Sequence, residues 1–150
     1  MSQLAQLCTF YVDGLLLGVE VENVQEVIRY QEMTRVPLAP AVIGGLINLR
    51  GQIVTAVDLR QRLGLHSRSQ GTLPMNVVVR TDDGAMSLLV DEIGDVVEVE
   101  EASFEAAPDT LAPEARELIR GVYKLKRDLL LLLDTDKAVN SAVMAIAHTA

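Results

Sequence analysis

The residue types that most often carry out chemistry in proteins are few in this chain, and none has a partner at a useful spacing. His66 lies in a polar segment and His148 among the last three residues, and neither has a Cys, His or carboxylate at metal-ligand spacing. Cys8 stands alone, so it cannot form an intramolecular disulfide or a cysteine metal site. Gly44-Gly45 is not followed by the Gly-Lys-Ser/Thr of a phosphate loop, and no nucleophile elbow is recognisable. The sequence therefore predicts no catalytic site, no metal and no cofactor.

Arg50-Gly51 is the dipeptide with the clearest potential to contact a partner, because it lies at a tight corner between segments 43–49 and 52–58. In one interpretation, Gly51 only supplies a positive φ and Arg50 is a solvated turn charge. In the other, Gly51 lets the backbone of a partner come close while Arg50 makes a fork-like contact to a carboxylate or carbonyl. Position at a corner does not decide between the two.

Composition limits the classes of partner. The chain has 150 residues, 49% of them hydrophobic and 23% charged, which predicts one packed domain or two very small barrels that share a core. Its net charge of −8 disfavours binding to nucleic acid or to an anionic membrane surface. The longest purely apolar run, Leu129–Leu133, is far shorter than the roughly 20 residues of a membrane helix, so no direct membrane insertion is expected. We expect a cytoplasmic protein, because no signal peptide is evident.

The first half of the chain predicts hairpins and little helix. Cys8–Val12 and Leu15–Val19 flank the turn dipeptide Asp13-Gly14, which predicts two strands around a two-residue turn. The apolar residues of the segment Val21–Ile28 recur at spacings of three and four, which predicts one or two helical turns. Segment 36–40 is expected to be extended because of its two prolines. A strand over 52–58 and a short helix over 59–63, ended by Gly64, complete this half.

The second half follows the same rough plan of hairpin, irregular segment, hairpin and short helix, although its residues do not align with those of the first half. The polar segment 66–73 is the best linker. Beyond it, the sequence predicts strands over 77–79, 87–90 and 95–99, a turn at 82–84, a helix over 114–119 and a final hairpin that ends in Leu129–Leu133. A continuous Leu run predicts a strand covered on both faces. Many short strands with turn signals predict an all-β fold, with a capped helix or a frayed tail after residue 135.

The segment 45–60 carries a recognisable motif: Asn48-Leu49-Arg50-Gly51, then a hydrophobic strand, then Asp58-Leu59-Arg60. It resembles the signature of the CheW family. Weaker matches stand in the same order along the chain, and they are Val24–Val27, Pro40–Ile43, Val90-Asp91 with Asp95-Val96, and Gly121 with Leu129–Leu133. The resemblance covers roughly residues 7–140. One departure is Thr55, where the family usually has Pro, so this strand is expected to pair more regularly.

The resemblance implies a fold and a function. The expected fold is two small SH3-like five-stranded β-barrels packed together with short helices. They would form one domain over 7–140, with a first barrel at about 15–66, a second at about 74–134 and a tail at 141–150. The N-terminal strand and the C-terminal segment are free to cross between barrels. The expected function is that of a non-catalytic, stand-alone adaptor. It would bridge the cytoplasmic tip of a chemoreceptor and the regulatory domain of the histidine kinase CheA, within receptor arrays at the inner face of the membrane.

The resemblance also assigns residues. The family's receptor-binding surface corresponds to Val24, Glu26 and Arg50, although Val24 could equally belong to the core. Val27 and Gly51 are expected to bind a partner as well, either the receptor or the kinase. Three further residues are expected to be structural. Asn48 would bond the turn backbone, Asp58 would cap the helix that follows it, and Gly45 would allow close packing.

Two alternatives to the chemotaxis adaptor remain open. One is an adaptor of the same family that serves a non-motility output, such as pilus control or a second-messenger pathway. The other is a sensor or enzyme that binds a small molecule in a barrel cavity.

Overall fold

A tight two-residue turn forms the first hairpin of this fold. The computed structural model of the chain describes residues 3–69, 71–82 and 84–139. Strand β1 (Leu4–Val12) is joined to β2 (Leu15–Glu20) by Asp13 and Gly14, whose φ angles are 50° and 78°. Positive φ at both central residues is the geometry of a type I′ turn, whose twist matches that of the paired strands. The hairpin predicted around Asp13-Gly14 is confirmed.

Within the described residues, ten strands form two five-stranded sheets, which we name sheet 1 and sheet 2. Sheet 1 has the order β8-β1-β2-β10-β9 and adds to the first hairpin β8 (Glu92–Glu100), β9 (Ile119–Lys124) and β10 (Leu129–Leu133). Sheet 2 has the order β3-β6-β7-β5-β4 and contains β3 (Val24–Ile28), β4 (Ile43–Leu49), β5 (Gln52–Asp58), β6 (Met75–Thr81) and β7 (Gly84–Val90). Helices are short: α1 (Leu59–Arg62), α2 (Pro113–Leu118), 3₁₀ turns at Val21–Asn23 and Glu101–Ser103, and helical residues 135–139. The predicted all-β class with short helices is confirmed.

The two halves of the chain exchange their first hairpins. The β1–β2 hairpin pairs in sheet 1 with β8 and β10, whereas the β6–β7 hairpin pairs in sheet 2 with β3 and β5. In both sheets one strand of the hairpin has an antiparallel neighbour and the other a parallel one. The ranges predicted for the barrels, 15–66 and 74–134, do not coincide with the sheets, because each range begins with strands that pair in the other sheet.

A largely aliphatic core lies between the two sheets. Alternate residues along the strands point into it, among them Phe10 and Leu17 from sheet 1 and Leu88 from sheet 2, all fully buried. On its other face each sheet buries a smaller cluster, which includes Leu130 in sheet 1 and Ile47 in sheet 2. Each sheet is therefore covered by apolar side chains on both faces.

Strand β10 shows this double burial most clearly. Leu131 and Leu133 belong to the core between the sheets, whereas Leu130 and Leu132 belong to the smaller cluster of sheet 1. The strand lies between β2 and β9, so its backbone is paired along both edges. The prediction that the Leu run is covered on both faces is confirmed.

A short backbone bridge joins the opposite edges of each sheet. In sheet 2, Thr34, which follows β3, and Leu46 of β4 exchange two N–H···O bonds of 2.8 Å. In sheet 1, Glu105, which follows β8, and Val122 of β9 exchange bonds of 2.8 and 2.9 Å. Both sheets therefore curl until the chain beyond one edge strand reaches the other edge strand.

The segment between β2 and β4 differs from the prediction. The expected helical turns over Val21–Ile28 are wrong, because only Val21–Asn23 forms a 3₁₀ turn and Val24–Ile28 is strand β3. The extended conformation expected for 36–40 is interrupted by a turn at Pro37-Leu38, where Leu38 has a φ of 64°. Near the C-terminus, Asp134 accepts a hydrogen bond from the Lys137 N–H at 3.1 Å and begins the helical residues 135–139. The predicted tail, 141–150, lies outside the described residues.

A polar cluster, which we call the Asp91 clamp, surrounds the single residue that separates β7 in sheet 2 from β8 in sheet 1. The carboxylate of Asp91 accepts hydrogen bonds from Arg60 Nη2 at 2.7 Å, from Arg68 Nη2 at 3.1 Å and from the Asp13 N–H at 2.7 Å. The N–H of Asp91 donates to the carbonyl of Tyr11 at 2.9 Å. The clamp thus joins α1 and the linker to the turn of the first hairpin.

Most of the clamp is shielded from water, since the side chains of Asp91, Arg60 and Arg68 are 19%, 15% and 13% exposed. Burial alone would raise the pKa of Asp91. The hydrogen bonds from Arg60, Arg68 and the Asp13 backbone outweigh it, and they hold the pKa of this carboxyl below its ordinary value. The carboxylate is therefore ionised in the folded protein at neutral pH.

We predict that neither half of the chain folds alone. A cut between residues 69 and 70 should give two fragments that lack cooperative thermal transitions, because each is deprived of the hairpin that completes its sheet. An equimolar mixture should regain the transition and the dispersed amide NMR spectrum of the whole chain. A cooperative transition in either isolated fragment would contradict the exchange of hairpins.

We predict that Asp91→Asn lowers the free energy of unfolding at pH 7 by about 1–3 kcal/mol, because the amide loses the charge that binds both arginines. A carboxyl with a lowered folded-state pKa stabilises the fold above its unfolded pKa of about 4, and this contribution is lost as the pH falls through the folded value. Denaturant titrations should therefore show the two proteins converging below about pH 4. Asp109→Asn, which removes an ion pair with Arg116 that is exposed on both sides, is the control and should have little effect. A deficit that stays constant down to pH 2 would contradict the ionic origin.

Candidate partner-binding surface

Glu26 and Arg50, expected from the resemblance to share one surface, form an ion pair. Glu26 lies on β3 and Arg50 in the turn between β4 and β5, so the pair spans the two opposite edges of sheet 2. The carboxylate accepts a hydrogen bond from Arg50 Nη2. The two partners differ in exposure, with 72% of the Arg50 side chain and 22% of the Glu26 side chain accessible. The guanidinium is therefore anchored by Glu26 yet still open to a further acceptor.

The turn that carries Arg50 is of the same type as that of the first hairpin. Arg50 has a φ of 51° and Gly51 a φ of 89°, which makes a type I′ turn. The side-chain oxygen of Asn48 accepts a hydrogen bond from the Gly51 N–H at 2.8 Å. A Cβ at Gly51 would meet no atom within 4 Å, so the space above the turn is open. The turn thus presents Arg50 beside an unobstructed backbone.

The electrostatics of the pair favour its charged form. The hydrogen bond from Arg50 holds the pKa of Glu26 below its ordinary value, against a smaller opposing effect of desolvation. The same hydrogen bond raises the pKa of Arg50. Both groups are therefore charged at neutral pH, and the pair is present before any partner arrives.

The two valines of the surface lie in different environments. Val24 is half-buried and packs against the core between the sheets, whereas Val27 is 39% exposed. The register of β3 against β6 shifts between Val24 and Glu26, so this strand contains a bulge. Val27 supplies exposed apolar area on the same strand as Glu26, three residues from Val24.

The residues expected to be structural have clear local contacts. The Asp58 side chain accepts a hydrogen bond from the Arg60 N–H at 3.0 Å at the N-terminus of α1. A Cβ at Gly45, which has a φ of 150°, would lie 2.9 Å from Met33 Cβ and 2.9 Å from the Thr34 carbonyl oxygen. Only Gly fits there, because the backbone bridge of sheet 2 passes directly over it. Thr55 pairs with neighbours on both sides, in β4 and in β7.

One contact near this surface could not be predicted from the sequence. Nη1 of Arg80, on β6, donates hydrogen bonds to the carbonyls of Glu22 at 3.2 Å and Val24 at 3.1 Å. These bonds hold the chain where it enters β3, just before Glu26. An isolated Arg at a strand end is usually a solvated charge, so its type and position did not identify this role.

A second feature lies on sheet 1 and involves none of the residues assigned by the motif. A cleft of about 630 Å³, which we call the acidic cleft, has an apolar floor that includes Leu7 and Tyr123. Four carboxylates and one arginine form its rim, and they are Glu20, Glu22, Glu98, Glu101 and Arg120. Arg120 is paired with Glu20 at 3.1 Å. Burial raises the pKa of Tyr123, and the nearby carboxylates add to this effect. No sequence pattern predicted this cleft.

Neither a metal-binding cluster nor a membrane-spanning helix is found among the described residues. Among them, no group of three or more His, Cys, Asp or Glu side chains is arranged to hold a metal ion. None of the helices in the described ranges has the length and apolar character needed to cross a membrane.

Comparison with known proteins agrees with the motif. The family model of the CheW-like domain matches residues 6–143. "Chemotaxis protein CheW" of Treponema pallidum is 27% identical over 140 residues, which cover 91% of this chain and 82% of that protein. The protein of the same name from Klebsiella aerogenes is 30% identical over 129 residues, which cover 86% and 78%. The crystal structure of the "scaffolding protein TtCheW" from Thermoanaerobacter tengcongensis superposes with a TM-score of 0.80 at 25% identity and covers 92% of both chains. Since the family model spans nearly the whole sequence and the fold agrees with a solved CheW structure, this chain belongs to the CheW-like domain family.

Proposed function

We propose that this protein is a non-catalytic adaptor that couples chemoreceptors to the histidine kinase CheA in chemotaxis signalling, on the cytoplasmic side of receptor arrays. Membership of the CheW-like family supports the proposal, as do the relatives named chemotaxis proteins and the structural relative named a scaffolding protein. The single observation that carries it within this chain is the preformed Glu26–Arg50 pair, because it joins two separate blocks of the family motif on one exposed surface.

We assign receptor binding to the surface formed by Val24, Glu26, Val27, Arg50 and Gly51, which we name the Arg50 surface. Glu26 restrains one side of the guanidinium, so less side-chain entropy is lost when a receptor carbonyl or carboxylate binds the other side. The open space above Gly51 lets a partner helix approach the turn. Val27 adds exposed apolar area on the same strand as Glu26.

The two sheets also support the finer prediction of SH3-like barrels. In each sheet the bridge between opposite edges, Thr34 to Leu46 or Glu105 to Val122, brings the ends of the sheet together around a small apolar cluster. We propose that sheet 1 and sheet 2 are such barrels. Two barrels offer two separate faces, which is what a bridging adaptor requires.

The alternative outputs differ in partner rather than in geometry. An adaptor for pilus control or for a second-messenger pathway would use the same Arg50 surface, so identification of the kinase that binds this chain distinguishes it from a chemotaxis adaptor. The acidic cleft is the feature that a small-molecule sensor would use. Calorimetry against small cationic and apolar ligands tests that possibility directly.

We predict that Arg50→Glu weakens receptor binding about ten- to a hundredfold, because it removes a central anchor and places two carboxylates side by side. Affinity for the kinase should stay within about threefold. Arg127→Glu, the same charge change in the β9–β10 turn, is the matched control and should leave both affinities unchanged. Surface plasmon resonance on immobilised receptor fragment and kinase measures both constants.

The double variant Glu26→Arg with Arg50→Glu separates two roles of the pair. It restores an ion pair with reversed polarity, so it should keep the thermal transition of the wild type without recovering receptor binding. Recovery of binding would show that the pair only shapes the surface. Loss of the thermal transition by Arg50→Glu alone would show that the corner is structural.

We predict a bell-shaped response when the protein is titrated into fixed amounts of receptor and kinase. A bridging adaptor raises the effective concentration of kinase at the receptor, whereas a large excess occupies each partner with separate copies. Kinase activity, measured as phosphate transfer from ATP, should therefore rise and then decline. A curve that saturates without decline would favour direct allosteric activation of the kinase over bridging.

A further inference from the structure

The apolar interface between the two sheets does not by itself fix their relative orientation. Its buried residues are almost all aliphatic, with Phe10 the only aromatic among those that the described core contains. Apolar contacts stabilise in proportion to area and do not select one orientation sharply. Polar networks with fixed geometry do restrict orientation, and this is the best-supported use of shielded charges in protein interiors.

The Asp91 clamp is such a network at the rim of that interface. Arg60 binds Asp91 through both Nε, at 3.0 Å, and Nη2, at 2.7 Å, which is the planar fork geometry of a directional contact. Arg60 also donates to the His66 carbonyl at 3.1 Å, so the linker is held as well. The other passage between sheets, from β2 to β3, is held by Arg80, which is exposed.

The clamp joins parts that belong to different sheets. The turn at Asp13 moves with sheet 1, whereas Arg60 lies in α1, directly after β5 of sheet 2. Asp91 contacts both and is the only residue between β7 and β8. A rotation of one sheet against the other would therefore stretch several short hydrogen bonds at once.

We propose that Asp91 is a positioning residue for adaptor function: the clamp fixes the orientation of sheet 1 relative to sheet 2, and thereby the geometry between the Arg50 surface and a partner bound on sheet 1. The effect on adaptor function rests on the proposed function, whereas the fixed orientation of the two sheets does not. Loss of the clamp leaves each partner contact intact and weakens only their combination.

The structural part is tested in the free protein by electron–electron double resonance. Spin labels are placed through Ile53→Cys on sheet 2 and Val96→Cys on sheet 1, both more than half exposed, in a Cys8→Ser background. Asp91→Asn and Arg60→Gln should broaden the distance distribution at least twofold. Arg116→Gln, which removes an exposed ion pair, is the matched control and should leave it unchanged. An equally narrow distribution in both clamp variants would overturn the proposal.

The functional part uses the complete protein with receptor and kinase. Both clamp variants should bind each partner alone within about threefold of the wild type, yet reduce kinase activation in the three-component mixture at least fivefold. Full activation by a variant with a broadened distribution would overturn the positioning role. If Asp91→Asn does not fold, Arg60→Gln decides, because it leaves the bonds of Asp91 to Arg68 and to the Asp13 N–H in place. A wild-type protein that fails to bridge would instead disprove the proposed function, and the spin-label result would stand independently.

Discussion

The two parallel pairings, β2 with β10 and β7 with β5, are the constraint on which the rest of this structure depends. Each joins strands from different halves of the chain, so neither sheet is complete without both halves. The exchange places the Leu-rich β10 in the middle of sheet 1, where its two faces fill two separate apolar clusters. It also forces the chain to cross between sheets, and at one of these crossings a shielded ionic network has formed around Asp91.

The curl of sheet 2 creates the surface proposed to bind a receptor. Glu26 and Arg50 belong to strands at opposite edges, which meet because the segment after β3 bridges to β4 at Thr34 and Leu46. Gly45 permits this bridge by leaving room for the backbone that passes over it. Gly45, which lies on β4 and not in the turn that carries Arg50, thus permits the approach that brings the charged pair together. The same close approach of the segment after β3 to β4 thus packs the inside of sheet 2 and forms the charged pair on its outside.

Local signals in the sequence predicted the hairpins and the double burial of the Leu run well, because turn dipeptides and apolar runs act over a few residues. The helical turns predicted over Val21–Ile28 were wrong because strand β3 contains a bulge. The bulge in β3 inserts an extra residue between Val24 and Val27, whose partners Val79 and Val77 are two residues apart. A strand with a bulge thus reproduces the three-residue spacing of a helix. The Glu26–Arg50 contact, the Arg80 contacts and the exchange of hairpins depend on the tertiary path of the chain, which no local pattern encodes; the motif could suggest only that Glu26 and Arg50 share a surface.

The exchange of hairpins also determines when each sheet can be completed during synthesis of the chain. The β1–β2 hairpin leaves the ribosome well before β10, so Leu16 must await Leu130 before sheet 1 can close. Contacts between such distant residues form slowly, because loop closure precedes the gain from pairing. Until β10 has emerged, the backbone edge of β2 that pairs with it stays unpaired. The net negative charge of the chain then disfavours association with neighbouring chains. Sheet 1 is therefore completed only after β10 has been synthesised, whereas all strands of sheet 2 are present once Val90 has emerged.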